Sequence, residues 1–382
     1  MSTKNDINIC PSYNAKFMES FKKDGYVVIK GLYSLEEMKR VETSIIKDVD
    51  EIVFGGEGKL DDYESLLVFT DSKRTKTTWR NGNSRQPLLS KSCGQISIHY
   101  NQDIIDTIQL DERPYKVMSK LYRTKYLVHT QGLEKLGLKI KGSTNMNKHI
   151  DTNLWYDEVN YPKRVQSFIC VQCPDDVKPK VAGGLELLVG FDEYWDFASY
   201  LFHPKTGLFP MPDCKSRFQV LPKDFDINYL PKLIECAKLY RENINNFDSP
   251  LFVNWRKEGV TVGNCELKWT PIVCEPGDMV CWSQRVCHRN LRNTSMTPRI
   301  VVYYSLFPVD KHYYGSQAHA WLRKMIESGE HYYSVNAGKY PTKITNPEEV
   351  KLGKKALIKT DLGKKLVGEV PWFKLRSVFS RK

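Results

Sequence analysis

Apolar positions along the chain change their period near residue 126. Upstream, Phe17 and Phe21 lie at helical spacing ahead of Gly25-Tyr-Val-Val-Ile-Lys-Gly31, a run that reads as a buried strand. Ser34-Leu-Glu-Glu37 then forms a capping box. The Ser oxygen and the Glu carboxylate each satisfy a backbone N–H left free at a helix start, and a helix is predicted from there through about residue 53. Residues 54–95 are rich in Gly, Ser, Lys and Arg and read as loop, with strand material at Thr75-Lys-Thr-Thr-Trp-Arg80. A second helix is predicted over 111–123, where Val117, Met118 and Leu121 recur at helical spacing.

Downstream the pattern becomes short β-like runs bounded by turn residues, at 126–130, 136–140, 165–171 and 185–189, and again at 267–273, 278–282 and 299–307. Many short strands with Gly or Pro between them predict a mostly β protein with flanking helices, a sandwich or jelly roll rather than an alternating β/α fold. Between the two sets, 191–266 reads as a long insertion with a helix at 230–240. Insertions of this kind over a rigid barrel commonly form lids or substrate contacts.

Composition narrows the class. The 382 residues, 41% hydrophobic and 27% charged, suffice for one core carrying insertions and a tail. The polar start has no apolar run of signal-peptide type, and nothing later approaches a membrane span, so a soluble cytoplasmic protein is expected. Ten scattered Cys in a chain of this length are expected to be reduced thiols. Cys170-Val-Gln-Cys173 lies inside an apolar run without a second pair at zinc-finger spacing, which favours packing over metal or redox chemistry. The net charge of +12 is uneven. Residues 311–382 hold 15 Lys and Arg against six Asp and Glu, and read as a basic C-terminal extension to a domain over 1–310. Such a tail attracts nucleic acid, an acidic membrane or a phosphorylated substrate, or else serves as a solvated face.

Candidate chemistry begins at Asn145-Met-Asn-Lys-His149-Ile-Asp151-Thr-Asn-Leu-Trp155, where a strand pattern opens into a loop. Side chains at i and i+2 of extended chain share a face, so His149 and Asp151 project together. A third ligand is offered by Glu275-Pro-Gly-Asp278-Met-Val-Cys-Trp-Ser-Gln-Arg-Val-Cys-His288, in which the Pro-Gly-Asp turn launches a strand and His288 falls near its far end. Two imidazoles and one carboxylate on one face of a metal leave positions open. That suits Fe(II) binding a chelating acid together with O2, whereas zinc is normally satisfied with fewer open positions. Arg299 opens the run to Phe307, and alternation puts it on one face with Val301, Tyr303 and Ser305. A buried guanidinium there needs an anion, and the far carboxylate of a dicarboxylate supplies one. Asn145 and Asn147 share the side of His149 and are candidates to hydrogen-bond the co-substrate or orient a ligand. Trp155 and Tyr156 are candidate pocket walls, with core packing as the equal alternative.

These residues carry a resemblance to the phytanoyl-CoA dioxygenase-like branch of Fe(II)- and 2-oxoglutarate-dependent oxygenases. It runs over roughly residues 15–308, from Phe21-Lys-Lys-Asp-Gly25 through His149-Ile-Asp151 and Ala182-Gly-Gly-Leu-Glu-Leu-Leu-Val-Gly190 to Gly277-Asp278, His288, Asn293, Ser295 and Arg299. The resemblance implies a double-stranded β-helix core of cupin type, iron held by His149, Asp151 and His288, and the 2-oxoglutarate C5 carboxylate held by Arg299. It implies hydroxylation of a C–H bond coupled to decarboxylation of 2-oxoglutarate to succinate. Asp151 fits hydroxylation, since halogenating members replace that carboxylate. The chain departs from the pattern at Val189-Gly-Phe-Asp192, where the family often has Pro-Gly-Ser-His, and in the length of the following insertion. The family substrate therefore does not carry over, and a small-molecule or anionic substrate is expected. A nucleic-acid or nucleotide base is the alternative substrate, suggested by the basic tail and by the basic and aromatic residues of 73–80. A barrel without catalysis that acts as a binding module is the alternative from another class.

Overall fold

A computed structural model describes residues 15–54, 94–97, 101–130, 133, 135–151, 154–155, 164–212, 219–242, 266–328 and 356–373. The loop expected at 54–95, with its basic run 73–80, lies almost wholly outside these residues.

Helix α1 (Ala15–Asp24) leads through Gly25 into β1 (Tyr26–Ile29), and α2 (Leu35–Phe54) follows. The capping box forms as the sequence predicts. Glu37 N–H donates to Ser34 Oγ at 3.2 Å and Ser34 N–H donates to Glu37 Oε2 at 2.8 Å. Strand β2 (Gln95–Ser97) precedes a short α3 (Gln102–Ile104), which runs on as a π-helical turn, and α4 (Glu112–Tyr122). The strands then come in quick succession: β3 (Leu127–His129), β4 (Lys135–Lys139), β5 (His149–Ile150), β6 (Val165–Gln172) and β7 (Leu185–Val189). Helix α5 (Trp195–Leu201), β8 (Gln219–Val220) and α6 (Leu230–Glu242) occupy the insertion. Then β9 (Lys268–Pro271), β10 (Met279–Ser283), β11 (His288–Asn290), β12 (Arg299–Tyr304) and β13 (Leu306–Pro308) complete the sheets, and α7 (Gln317–Ser328) and α8 (Asp361–Leu366) follow.

The strands form two larger antiparallel sheets and one pair. The first has the order β1-β10-β6-β12-β4-β2 and the second β8-β5-β11-β7-β9, while β13 pairs with β3. From β4 to β7, and again from β10 to β12, successive strands alternate between the two large sheets. Period-2 alternation sorts each strand's side chains. On β6, β10 and β12, Ile169, Val171, Met279, Cys281, Ile300, Val302 and Tyr304 face outward under α2 and α4. Phe168, Cys170, Val280, Trp282 and Val301 face inward against Leu185 and Leu187 of the second sheet. The outer face of the second sheet, with Ile150 and Leu188, is covered by α5 and α6, so the insertion builds a core of its own.

The Pro-Gly-Asp motif is a structural knot. Asp278, 2% exposed, accepts from Lys30 Nζ at 2.7 Å, Gly31 N at 2.9 Å and Glu275 N at 2.7 Å, tying β1 to the start of β10. Gly277 has φ +95°, and a Cβ there would lie 2.2 Å from the Tyr33 carbonyl oxygen. Two described stretches of the basic extension fold onto the sheet-and-helix core. Leu322, Met325 and Ile326 of α7 and Leu366 and Val367 at α8 enter the same core as α2 and α4. Trp372 donates to the Leu127 carbonyl at 2.8 Å and stacks on Tyr115. No described helix is long and apolar enough to cross a membrane.

Candidate metal centre

Strand β5 is only two residues long, and it is held from three directions. It pairs with β8 and β11, with His149 directly opposite both Val220 and His288. Behind it, Lys148 lies 4.5 Å from the Trp269 ring centroid and forms an ion pair with Asp226. Alternation then sends Ile150 into the outer core and leaves His149 and Asp151 on the inner side.

His288 reaches this place by a route that differs from the expectation. Strand β10 ends at Ser283, whose hydroxyl donates to the buried Asp192, and Val286 N–H closes a turn on the Ser283 carbonyl at 3.0 Å. The chain thereby changes sheets, and His288 opens a new strand, β11, rather than ending β10. That crossing is what puts it beside His149. The two imidazole rings lie 4.2 Å apart at 53°, and one ligand atom from each of His149, Asp151 and His288 lies within 4.8 Å of the others. His149 Nε2 is 3.7 Å from Asp151 Oδ1 and His288 Nε2 is 3.4 Å from Oδ2. Among the described residues no other group of three His, Cys, Asp or Glu has this proximity.

The backbone settles which nitrogens face the centre. His149 Nδ1 donates to the Asn147 carbonyl at 2.7 Å and His288 Nδ1 to the Val286 carbonyl at 3.0 Å. A carbonyl only accepts, so Nδ1 carries a proton in both rings and Nε2 is the nitrogen turned toward Asp151. Gln166 on β6 donates its side-chain amide to Asp151 Oδ2. Burial and then His288 bring the His149 pKa down to about 4. Burial works against the Asp151 carboxylate, but His288, His149 and the Gln166 amide outweigh it and hold Asp151 well below the usual range. Burial likewise opposes the charged form of His288, and Asp151 reverses the outcome and raises it. A negative charge facing two largely buried imidazoles is an arrangement that a divalent cation completes.

Arg299 lies in the same interior. It is 4% exposed, its register partner on β4 is Lys139, and its Cζ lies 4.7 Å from the Phe168 ring centroid. Phe168 packs 5.8 Å from Trp282, and Trp282 packs 5.8 Å from the His288 ring. One aromatic wall thus runs from the guanidinium to the candidate metal ligands. Arg299 Nη2 has no hydrogen-bond partner among the described residues.

The other candidates fall elsewhere. Asn145 is exposed and its Oδ1 accepts from Arg292 N–H at 2.8 Å. Asn147 is exposed and serves His149 through its main-chain oxygen rather than its side chain. Trp155 donates to the Ser199 carbonyl at 2.8 Å and packs on the insertion core. Tyr156 lies outside the described residues. Cys170 and Cys173 are free thiols, and Cys173 Sγ donates to the Cys274 carbonyl at 3.1 Å. The hydrogen bond from Cys170 and then the Arg299 charge bring the Cys274 thiol down to about 7. Asn293 and Ser295 brace the loop before Arg299. Asn293 Nδ2 donates to the carbonyls of Lys139 and Thr297, and Ser295 N–H donates to Asn293 Oδ1. Two residues of the inner wall went unmarked in the sequence, Gln166 and Trp282. Alternation along β6 and β10, which puts Gln166 with Phe168 and Trp282 with Val280, is the signal that finds them.

No family model matches the chain, and no curated protein matches it by sequence. Solved structures do. The crystal structure of a hypothetical protein, JW0805, from Escherichia coli aligns at TM-score 0.53 and 14% identity, covering 93% of this chain and 82% of that one. A putative oxidoreductase from Salmonella typhimurium LT2 aligns at TM-score 0.53 and 12% identity with the same coverage. EctD from S. alaskensis, solved with 2-oxoglutarate and 5-hydroxyectoine, aligns at TM-score 0.42 and 14% identity over 81% of this chain and 79% of that one. The first two show a shared fold.

Proposed function

We propose that the chain is an Fe(II)- and 2-oxoglutarate-dependent oxygenase that hydroxylates a C–H bond of a small-molecule or anionic substrate, on a double-stranded β-helix of the phytanoyl-CoA dioxygenase-like kind. One observation carries the reading. The side-chain atoms of His149, Asp151 and His288 converge in the same interior in which buried Arg299 keeps Nη2 without a hydrogen-bond partner among the described residues. Two imidazoles and a carboxylate on one side suit iron that must keep positions open. A permanently charged fork at the other end suits the far carboxylate of a dicarboxylate.

Bound iron and 2-oxoglutarate would supply the O2 chemistry, with 2-oxoglutarate leaving as succinate and CO2. The chain's own part is positional. The carbonyls of Asn147 and Val286 fix both imidazole rings with Nε2 inward. Gln166 engages one Asp151 oxygen and leaves the other for a metal, which disfavours chelation through both oxygens and conserves coordination positions. Phe168, Val280, Val301, Leu185 and Leu187 line the interior with apolar surface that excludes water from the reacting centre.

The test is succinate release from 2-oxoglutarate with Fe(II) and O2, compared between the wild type and His149→Ala with Asp151→Ala. The proposal expects turnover to vanish in the variant while its thermal melt without metal stays near that of wild type. Undiminished succinate release would refute it.

A further inference from the structure

Of the buried side chains between the two large sheets, Trp282 and Arg299 each hold a donor without a partner among the described residues: Trp282 Nε1 and Arg299 Nη2. Trp282 is 3% exposed, on the inward face of β10. Its ring touches His288 on one side and Phe168 on the other, and Phe168 in turn lies under Arg299. Its cross-strand neighbour on β6 is Gln166, whose amide is committed to Asp151. A phenylalanine fills such a position with a similar ring and no polar atom. The indole instead places an N–H, which can only donate, where no protein acceptor meets it. Trp269 Nε1, Tyr33 Oη and Tyr304 Oη also lack a hydrogen-bond partner among the described residues, so an orphan donor alone does not mark a site. Trp282 and Arg299 share one wall with the candidate metal ligands, where a bound group would meet both. Both orphans on this wall are donors, so what arrives offers acceptors at two places.

We infer that the Trp282 indole N–H is a co-substrate-binding group, donating to an oxygen of the dicarboxylate whose far end pairs with Arg299. This inference rests on the oxygenase reading above and adds a residue to it. Two donors along one aromatic wall also bear on selectivity. A monocarboxylate that reaches only the metal forfeits the Arg299 contact, and a ligand without oxygen near His288 forfeits the Trp282 contact.

The experiment uses the full chain loaded with Zn(II) or Mn(II), which take the metal place without turnover. Calorimetric titration with 2-oxoglutarate compares wild type with Trp282→Phe, which removes the N–H and keeps a ring. A charge-assisted hydrogen bond of ordinary strength predicts a Kd for 2-oxoglutarate raised about tenfold or more, with Mn(II) affinity and metal-free melting unchanged. A rise of less than about threefold overturns the inference. A wild type that takes up metal but no 2-oxoglutarate overturns both it and the oxygenase reading. Should Trp282→Phe fail to fold, the wild type supplies a second readout. Among the eight indole N–H signals of 15N-tryptophan-labelled, Zn(II)-loaded protein, the one broadened most by Mn(II) substitution moves downfield on adding 2-oxoglutarate. If that signal stays in place, Trp282 does not bind the co-substrate.

Discussion

Replacing Gln166 with Leu removes the amide that donates to Asp151 Oδ2 and leaves a side chain of similar volume. The carboxylate faces His149 Nε2 at 3.7 Å from Oδ1 and His288 Nε2 at 3.4 Å from Oδ2, so the Gln166 amide on Oδ2 is what leaves Oδ1 turned toward a metal. A hydrogen bond to a charged group contributes about 1.5–3 kcal/mol. Partners that orient a metal ligand commonly change metal affinity by about 10- to 100-fold when removed. Titration of the metal-free protein with Mn(II), following the free ion by electron paramagnetic resonance, should therefore give a Kd about 10- to 100-fold weaker in Gln166→Leu. The metal-free melt should move little, because Gln166 sits at the edge of the interior and is half-buried. Gln166→Glu should instead lower the metal-free melt, since a second carboxylate beside Asp151 repels it until a cation binds. Unchanged Mn(II) affinity in Gln166→Leu would refute the orienting role.

Three further outcomes follow from packing and burial. His129 is 2% exposed with Nε2 bonded to the Gln109 carbonyl at 2.8 Å, and burial takes its pKa down to about 4 from 6.5. Between those values the unfolded chain binds the extra proton and the folded chain does not, so stability falls as pH falls. From pH 7 to 5 the loss is on the order of 2 kcal/mol, and denaturant melts of His129→Gln should show a correspondingly flatter pH dependence than wild type. Leu322→Ala in α7, at a fully buried position shared with the α2 and α4 core, should cost about 2–5 kcal/mol in chemical unfolding. No loss would mean that the C-terminal extension is a separate appendage. Gly183→Ala should destabilise by about 1 kcal/mol or more. Gly183 has φ +72° and its Cβ would meet Lys139 Cβ at 2.8 Å and Asn293 Cβ at 3.2 Å, and a thermal melt reads the effect directly.

Much of the fold was legible where a single period governs a segment. The strands 165–171 and 185–189 and the helix of 111–123 follow from alternation or helical spacing alone, and the Ser34–Glu37 box forms atom for atom. Legibility failed where an element owes its existence to its neighbours. Strands of two or three residues, such as β5 and β11, have no period to detect and exist because His149 and His288 are paired across them. The same holds for His288 itself, which a one-dimensional reading left on β10 until the Ser283–Val286 turn moved it to the opposite sheet. The charge of the extension also misled about its burial. Of its described lysines, Lys311, Lys324 and Lys359 are exposed, while Leu322, Met325, Leu366 and Val367, too sparse to stand out in sequence, anchor it in the core. At the site, i and i+2 geometry sufficed for His149 and Asp151, whereas the roles of Gln166 and Trp282 depend on contacts between strands far apart in the chain.

The central claim is that His149, Asp151 and His288 hold iron that 2-oxoglutarate then chelates. Anaerobic titration tests it most directly: Fe(II) uptake by the metal-free chain, followed by addition of 2-oxoglutarate and observation of the visible charge-transfer absorption that an Fe(II)-bound 2-oxo acid produces. Wild type should bind about one equivalent of Fe(II) and develop the band, while His288→Ala should lose both. Equal Fe(II) uptake and an equal band in His288→Ala, or no band in wild type that has taken up iron, would contradict the account.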